Sequence, residues 1–190
     1  LNGKRAWDFG TVQSKWDVIA KAKRAGKKVQ FGQMMGLCHE KNAQLKLPDP
    51  TYKGRLVFRG DQVRDEDGFY AVFSEQGTSA SSMAAARKLD APARIPGNKG
   101  EDSDAVGAHT QVTLEEAHLL LGGTPDDFIE TWISLENMKG RRPKHWDNIK
   151  DPVCRLDLNL YGHPLAGLLW EKYCQNILVE EGFEKVPAWE

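Results

Sequence analysis

The stretch from Val153 to Glu180 constrains the fold of this chain more than any other part of the sequence. Its first part, Val153 to Leu160, is short and alternates apolar and polar residues from Cys154 onward, which predicts a β-strand. Gly162 and Pro164 then interrupt the pattern and predict a turn. From Leu165 to Glu180 apolar residues recur at the spacing of one helix face. A strand, a turn and an amphipathic helix in direct succession predict a helix that packs on a sheet.

The rest of the chain alternates irregularly between strand and helix patterns. Further strands are predicted at Val29–Leu37, Tyr52–Arg59, Asp104–Val112 and Thr131–Leu135. Further helices are predicted from Asp8 or Thr11 to Gly26, at Ser79–Leu89, from Thr113 with Glu116 in the capping-box position, and at Thr124–Asp127. The first two of these strands are close enough to form an antiparallel hairpin. The patterns together favour an α+β fold in which helices pack on an antiparallel sheet.

Composition limits the class of protein without identifying it. The chain has 190 residues, 40% of them hydrophobic and 28% charged, and a net charge of −1, which is typical of a globular domain. Three cysteines without metal-binding spacing predict reduced thiols in an intracellular protein. No apolar run is long enough to span a membrane, so we expect no membrane partner. The start at Leu1, without Met, suggests a piece of a longer polypeptide.

The second predicted strand is strongly basic. It reads Lys53-Gly-Arg-Leu-Val-Phe-Arg-Gly60, and strand alternation puts Lys53, Arg55 and Arg59 on one face. A row of cations of this kind can bind phosphate groups. The same charges could instead keep an exposed edge strand soluble, and the pattern alone leaves both interpretations open.

Three segments, in the correct order, resemble the reverse transcriptases of copia-type retrotransposons. Val153–Trp170 is similar to that family's Cys-Lys/Arg-Leu strand, Leu-Tyr-Gly turn and Trp-bearing helix, although the family's Lys and Gln after the turn are missing. Lys53–Gly60 is similar to its Lys-Ala-Arg-Leu-Val-Ala-Arg/Lys-Gly strand. Asp104–Gln111 is similar to its Asp, three residues, Ala, Phe, one residue, Asn, with His109 at the Phe position.

The resemblance implies a role for each matching residue. Asp104 would be the first catalytic carboxylate and would bind one or both of two Mg²⁺ ions, which stabilise the attacking and leaving oxygens of nucleotidyl transfer. Contacts to the nucleotide or template would come from Lys53, Arg55, Arg59, His109, Arg155, Tyr161 and Gly162. Asp104 could instead belong to an exposed acidic patch with Glu101 and Asp102.

The resemblance also implies how the chain is organised. Residues 1–28 would form a helical lead-in, 29–103 a fingers-like region, and 104–190 a partial palm that ends before the catalytic Asp-Asp turn. Asp126-Asp127 precedes the helix, so we interpret it as a helix start and not as that turn. The chain would be a fragment of a Pol polyprotein whose partners are an RNA template, a DNA primer, a deoxynucleoside triphosphate and the rest of the polyprotein. Alone, we expect it to lack polymerase activity.

Two other functions remain open at this point. The chain could be an inactive nucleic-acid-binding remnant of such an element, or an unrelated α+β interaction domain.

Overall fold

The computed structural model describes residues 6–45, 50–73, 83–100, 104–136 and 143–184, and they form a mixed α/β fold. The strands are β1 (Trp7–Ser14), β2 (Val29–Gly32), β3 (Met34–Lys41), β4 (Thr51–Phe58), β5 (Arg64–Asp65), β6 (Glu130–Ser134) and β7 (Pro152–Leu156). The α-helices are α1 (Lys15–Ala25), α2 (Met83–Ala93), α3 (Leu114–Leu120) and α4 (Ala166–Glu180). None of the helices in the described ranges is long and apolar enough to cross a membrane.

Five strands form one sheet in the order β1-β7-β6-β2-β5. All neighbouring pairs are antiparallel except β2 and β6, which are parallel. A parallel pair needs a long crossover, and the chain from β2 to β6 contains the hairpin, β5, α2 and α3. Strand β1 comes from the predicted lead-in, β2 and β5 from the fingers-like region, and β6 and β7 from the partial palm. The sheet therefore draws on all three predicted regions.

The two faces of the sheet bury separate apolar cores. On one face, α1 packs Val18, Ile19 and Ala22 against Val153 and neighbouring strand residues. On the other face, α3 and α4 cover Ile133, Cys154, Leu156 and Leu160. Alternate residues of β7 thus enter different cores, as expected of a strand buried on both sides.

Strand β1 is the main element that the sequence patterns missed. Helix α1 ends at Gly26 as predicted, with the left-handed φ of 65° that favours glycine. It begins only at Lys15, where the Ser14 side chain accepts a hydrogen bond from the Trp16 N–H. The residues before it pair with β7, so tertiary pairing overrides the helical spacing there.

The predicted hairpin is present as β3 and β4, with Met34 opposite Phe58 and Lys41 opposite Thr51. The predicted strand at Val29–Leu37 is divided, because β2 belongs to the large sheet and β3 to the hairpin. Gly32 lies at this division. A Cβ atom there would come 2.2 Å from the ring of Phe58, so the strand needs glycine where it passes the hairpin.

The strand predicted at Asp104–Val112 was wrong. Residues 106–107 form a turn, and Ala108–Gln111 form a short 3₁₀ turn instead. Gly107 takes a left-handed φ of 63°, and its carbonyl accepts hydrogen bonds from the backbone N–H and the hydroxyl of Thr110. These local hydrogen bonds replace those that a strand would make with a neighbour.

The other predicted elements agree with the structure to within a few residues. Strands β6 and β7 and helices α3 and α4 lie where the patterns placed them. Helix α2 covers the second half of the helix predicted at Ser79–Leu89 and continues to Ala93, whereas residues 79–82 lie outside the described ranges. The helix start predicted at Thr124–Asp127 is a turn.

Candidate functional site

Tyr161 is the meeting point of three segments that are distant in sequence. Its carbonyl accepts a hydrogen bond from the N–H of Phe58 at 2.7 Å, which ties the turn after β7 to the end of β4. Its ring meets the imidazole of His109 edge to face, with centroids 4.3 Å apart. Tyr161 is 46% exposed, so part of the side chain faces solvent. We call Phe58–Gly60, Ala108–Gln111 and Tyr161–Gly162 together the Tyr161 junction.

Two glycines let the backbones of the Tyr161 junction approach closely. A Cβ at Gly60 would come 2.3 Å from the Gly162 carbonyl oxygen, and a Cβ at Gly162 would come 2.1 Å from the Phe58 carbonyl oxygen. Gly162 also has a φ of 87°, a conformation that other residues rarely adopt. Both positions therefore require glycine for steric reasons within the described structure.

His109 is half-buried against this turn. Burial lowers its pKa, and a backbone interaction with Ala166 at the start of α4 opposes the shift. The imidazole is therefore uncharged at neutral pH. No hydrogen-bond partner for its Nδ1 atom is found in the described part of the chain. The ring acts here as an apolar, aromatic contact for Tyr161.

His163 is buried next to the turn and packs against two phenylalanine rings. Its ring lies 5.3 Å from that of Phe58 and 5.9 Å from that of Phe73, and its Nδ1 accepts a hydrogen bond from the Leu165 N–H. Burial lowers its pKa to about 4. Sequence patterns gave no role to His163; a histidine between Gly162 and Pro164 in an apolar stretch was the available signal.

Lys53 and Arg55 are exposed on β4, opposite His39 and Leu37 of β3. Within the described ranges neither side chain forms an ion pair. Arg55 lies three residues before Phe58, which is about 10 Å along a strand. Both side chains are therefore accessible cations on the strand that ends at the Tyr161 junction.

Arg59 forms an ion pair with Asp61. Its guanidinium binds both carboxylate oxygens of Asp61, with the shorter contact at 2.9 Å, and its backbone N–H donates to the Gln33 carbonyl at 2.8 Å. The hydrogen bond from Arg59 lowers the pKa of Asp61. A phosphate that binds Arg59 would have to compete with this carboxylate or bind beside it.

Arg155 is held apart from the Tyr161 junction. It shares a face of β7 with Val153, which packs in the α1 core, and its Nε donates to Asp157 at 2.7 Å. The Tyr161 junction adjoins Phe58 and Leu160 of the opposite core. The structure therefore does not bring Arg155 together with His109 and Tyr161, and its nucleotide contact stays a prediction.

Asp104 is exposed. It makes no hydrogen bond or ion pair with another described residue. No group of three His, Cys, Asp or Glu side chains that could hold a metal ion exists among the described residues. One carboxylate does not suffice for two Mg²⁺ ions, so the residues present do not form such a site by themselves.

Asp127 has a local structural role. Its Oδ1 accepts a hydrogen bond from the Thr124 N–H and contacts His118 Nε2, both at 2.7 Å. The contact with His118 contributes most to the lowered pKa of Asp127. The carboxylate closes a turn after α3, and no α-helix begins at Asp126 and Asp127.

Comparisons with known proteins found no matching family model, no matching curated protein and no matching solved structure. The copia-type resemblance therefore rests on the quoted segments alone.

Proposed function

We propose that this chain is part of an RNA-directed DNA polymerase of the copia-type retrotransposon class, taken from its Pol polyprotein. In this proposal the Tyr161 junction is one wall of the pocket for the template base and the incoming nucleotide. The complete enzyme would use two Mg²⁺ ions to stabilise the charge that develops on the transferred phosphate. Asp104 would supply one ligand, and further carboxylates would have to come from elsewhere.

The observation that supports this proposal is the convergence at Tyr161. The three segments that resemble one family are far apart in the sequence. In the fold, Phe58 bonds to the Tyr161 carbonyl and His109 packs on its ring. Segments of a common pocket are expected to meet in this way.

The geometry suits a nucleotide in two respects. Tyr161 is 46% exposed, so a planar base could stack on the open part of its ring, and the close packing of Gly60 and Gly162 against neighbouring backbone holds the turn in place. Lys53 and Arg55 are exposed cations on β4, the strand that ends at this junction, and would provide positive charge for phosphate groups.

A second candidate function is nucleic-acid binding without polymerisation. Lys53 and Arg55 favour it, because they are exposed, form no ion pair with another described residue, and could bind phosphate without a metal ion. Both candidate functions would use the same nucleic-acid-binding surface, and only the first includes nucleotidyl transfer.

The proposal can be tested by fluorescence anisotropy with a labelled RNA–DNA primer–template hybrid. We expect Arg55→Ala to weaken binding about tenfold and to reduce the salt dependence by about one phosphate contact. Lys23→Ala is the matched control, because Lys23 is a surface cation of α1 that is not part of the Tyr161 junction and pairs with Asp67 at 2.8 Å. It should change affinity less than twofold. Equal effects of both substitutions would contradict the proposal, and absence of binding would favour the interaction domain.

A further inference from the structure

A cleft lies on the α1 side of the sheet and encloses about 390 Å³. Phe31 and Val153, which belong to the α1 core, contribute to its wall. The residues that give it chemical character are Lys15, Trp16, Gln33, Gln62, Arg64 and Tyr70. None of the described residues that line it belongs to the Tyr161 junction, which adjoins the opposite core.

One aromatic wall of the cleft is Trp16, which is 56% exposed. Its indole Nε1–H donates to the Asp151 carboxylate at 2.8 Å, and the backbone carbonyl of Asp151 accepts from the Lys15 N–H at 3.0 Å. Asp151 makes both contacts from a left-handed backbone conformation with a φ of 47°. The indole is thus held in place while its surface remains largely open to solvent.

A second aromatic wall is formed by Tyr70 and Arg64. The guanidinium of Arg64 lies 4.2 Å from the centroid of the Tyr70 ring and also donates to the Gly68 carbonyl at 2.8 Å. Tyr70 is 61% exposed. A planar guanidinium on an aromatic ring provides a flat surface on which a further ring can stack.

The polar groups of the cleft favour a neutral ligand that forms hydrogen bonds. The side-chain amides of Gln33 and Gln62 make no hydrogen bond to any other described residue. Each amide offers donors and an acceptor. Two cations, Lys15 and Arg64, and two carboxylates, Glu136 and Asp151, line the cleft. Because these charges cancel, the cleft has no excess positive charge that would attract a free phosphate.

We infer that this cleft binds a nucleobase of single-stranded nucleic acid, stacked on Trp16 and hydrogen-bonded by Gln33 or Gln62. Exposed aromatic rings with nearby amides are the usual means by which proteins hold unpaired bases. The backbone of Gln33 also accepts a hydrogen bond from Arg59, which links the cleft to the Tyr161 junction. That the strand is the unpaired part of a polymerase template rests on the proposed function.

The test is binding of a labelled single-stranded RNA oligonucleotide, measured by anisotropy on the whole chain. Base stacking on one aromatic side chain is worth about tenfold in affinity. We expect Trp16→Leu to weaken binding by about that factor and Trp16→Phe to retain most of it. Phe9→Leu is the matched control, since Phe9 is similarly exposed but packs near Trp7 and Trp146. Circular dichroism would verify that each variant is folded.

The possible outcomes separate this inference from the proposed function. If Trp16→Leu binds the oligonucleotide as tightly as the unchanged chain, the cleft does not bind bases, whatever Arg55→Ala does to the hybrid. An equal loss from Phe9→Leu would overturn the inference as well. If Trp16→Leu weakens binding while Arg55→Ala has no effect on the hybrid, the cleft is supported and the proposed phosphate contact fails.

Discussion

At Gly162 two separate constraints act on one residue. The backbone has a φ of 87°, and the position of a Cβ atom is occupied by the Phe58 carbonyl oxygen at 2.1 Å. Gly182 has the same φ of 87° with nothing within 4 Å of its Cβ position. Both glycines therefore have a left-handed backbone conformation, but only at Gly162 would a side chain also collide with neighbouring atoms.

We predict that Gly162→Ala lowers the free energy of unfolding by several kcal/mol more than Gly182→Ala does. The control should lose only about 1 kcal/mol, the cost of a left-handed residue other than glycine. Urea denaturation followed by circular dichroism measures both losses. Equal losses would mean that the turn does not pack on β4 as described.

His163 makes stability depend on pH. Its pKa is about 4 in the folded chain because of burial, and about 6.5 when unfolded. Since the unfolded state binds the proton more readily, stability should fall as the pH drops from about 6.5 towards 4, by up to about 3 kcal/mol. Above the unfolded pKa both states are neutral and this contribution to the pH dependence vanishes.

The prediction is that His163→Phe removes a large part of the difference in unfolding free energy between pH 7 and pH 5. Comparing two pH values cancels the cost of losing the hydrogen bond from Leu165. His39→Gln is the control, because His39 is exposed on β3. If the unfolding free energy of His163→Phe changes with pH as much as that of the unchanged chain, a group other than His163 causes the pH dependence.

Among the elements, α3 begins with a complete capping box. The Thr113 hydroxyl accepts from the Glu116 N–H at 3.0 Å, and the Glu116 carboxylate accepts from the Thr113 N–H at 3.1 Å. Glu115 is exposed in the same helical turn. Both acids lie near the positive end of the helix dipole. Of these two, Glu116 is the one that forms the capping box with Thr113.

We therefore expect Glu116→Ala to destabilise the chain by about 1 kcal/mol, and Glu115→Ala by only a few tenths. Thermal or urea unfolding of the two variants under identical conditions gives the comparison. A loss for Glu115→Ala as large as that for Glu116→Ala would assign the effect to helix charge and not to the cap.

Local signals explain which elements could be predicted from the sequence. The capping residue Thr113, the helix-ending Gly26 and the apolar centre of β4 act within a few residues, and the predicted capping box, helix end and strand agree with the structure. Strand β1 depends on pairing with β7, far along the chain, so its own residues did not reveal it. The turn at Gly107 was missed because a glycine in a short apolar run also fits a strand.

At the scale of the whole molecule, the sequence supplied candidate residues but not their contacts. The resemblance singled out Arg155 and Tyr161 together, yet Arg155 faces the α1 core and binds Asp157. His109 and Tyr161 do meet, through the turn at Gly107 that was not predicted. The position of a side chain relative to a two-faced sheet depends on register, which periodicity alone does not determine.

In the proposed function, the Tyr161 junction contacts the template base that would pair with the incoming nucleotide. The most direct measurement is photocrosslinking of the chain to a primer–template hybrid with thiouridine at that template position, followed by mass spectrometry of tryptic peptides. We predict crosslinks in the peptides Leu156–Lys172 and Gly100–Lys139, which contain Tyr161 and His109. Crosslinks concentrated in Tyr173–Lys185, the adjacent peptide from the exposed end of α4, would contradict the account.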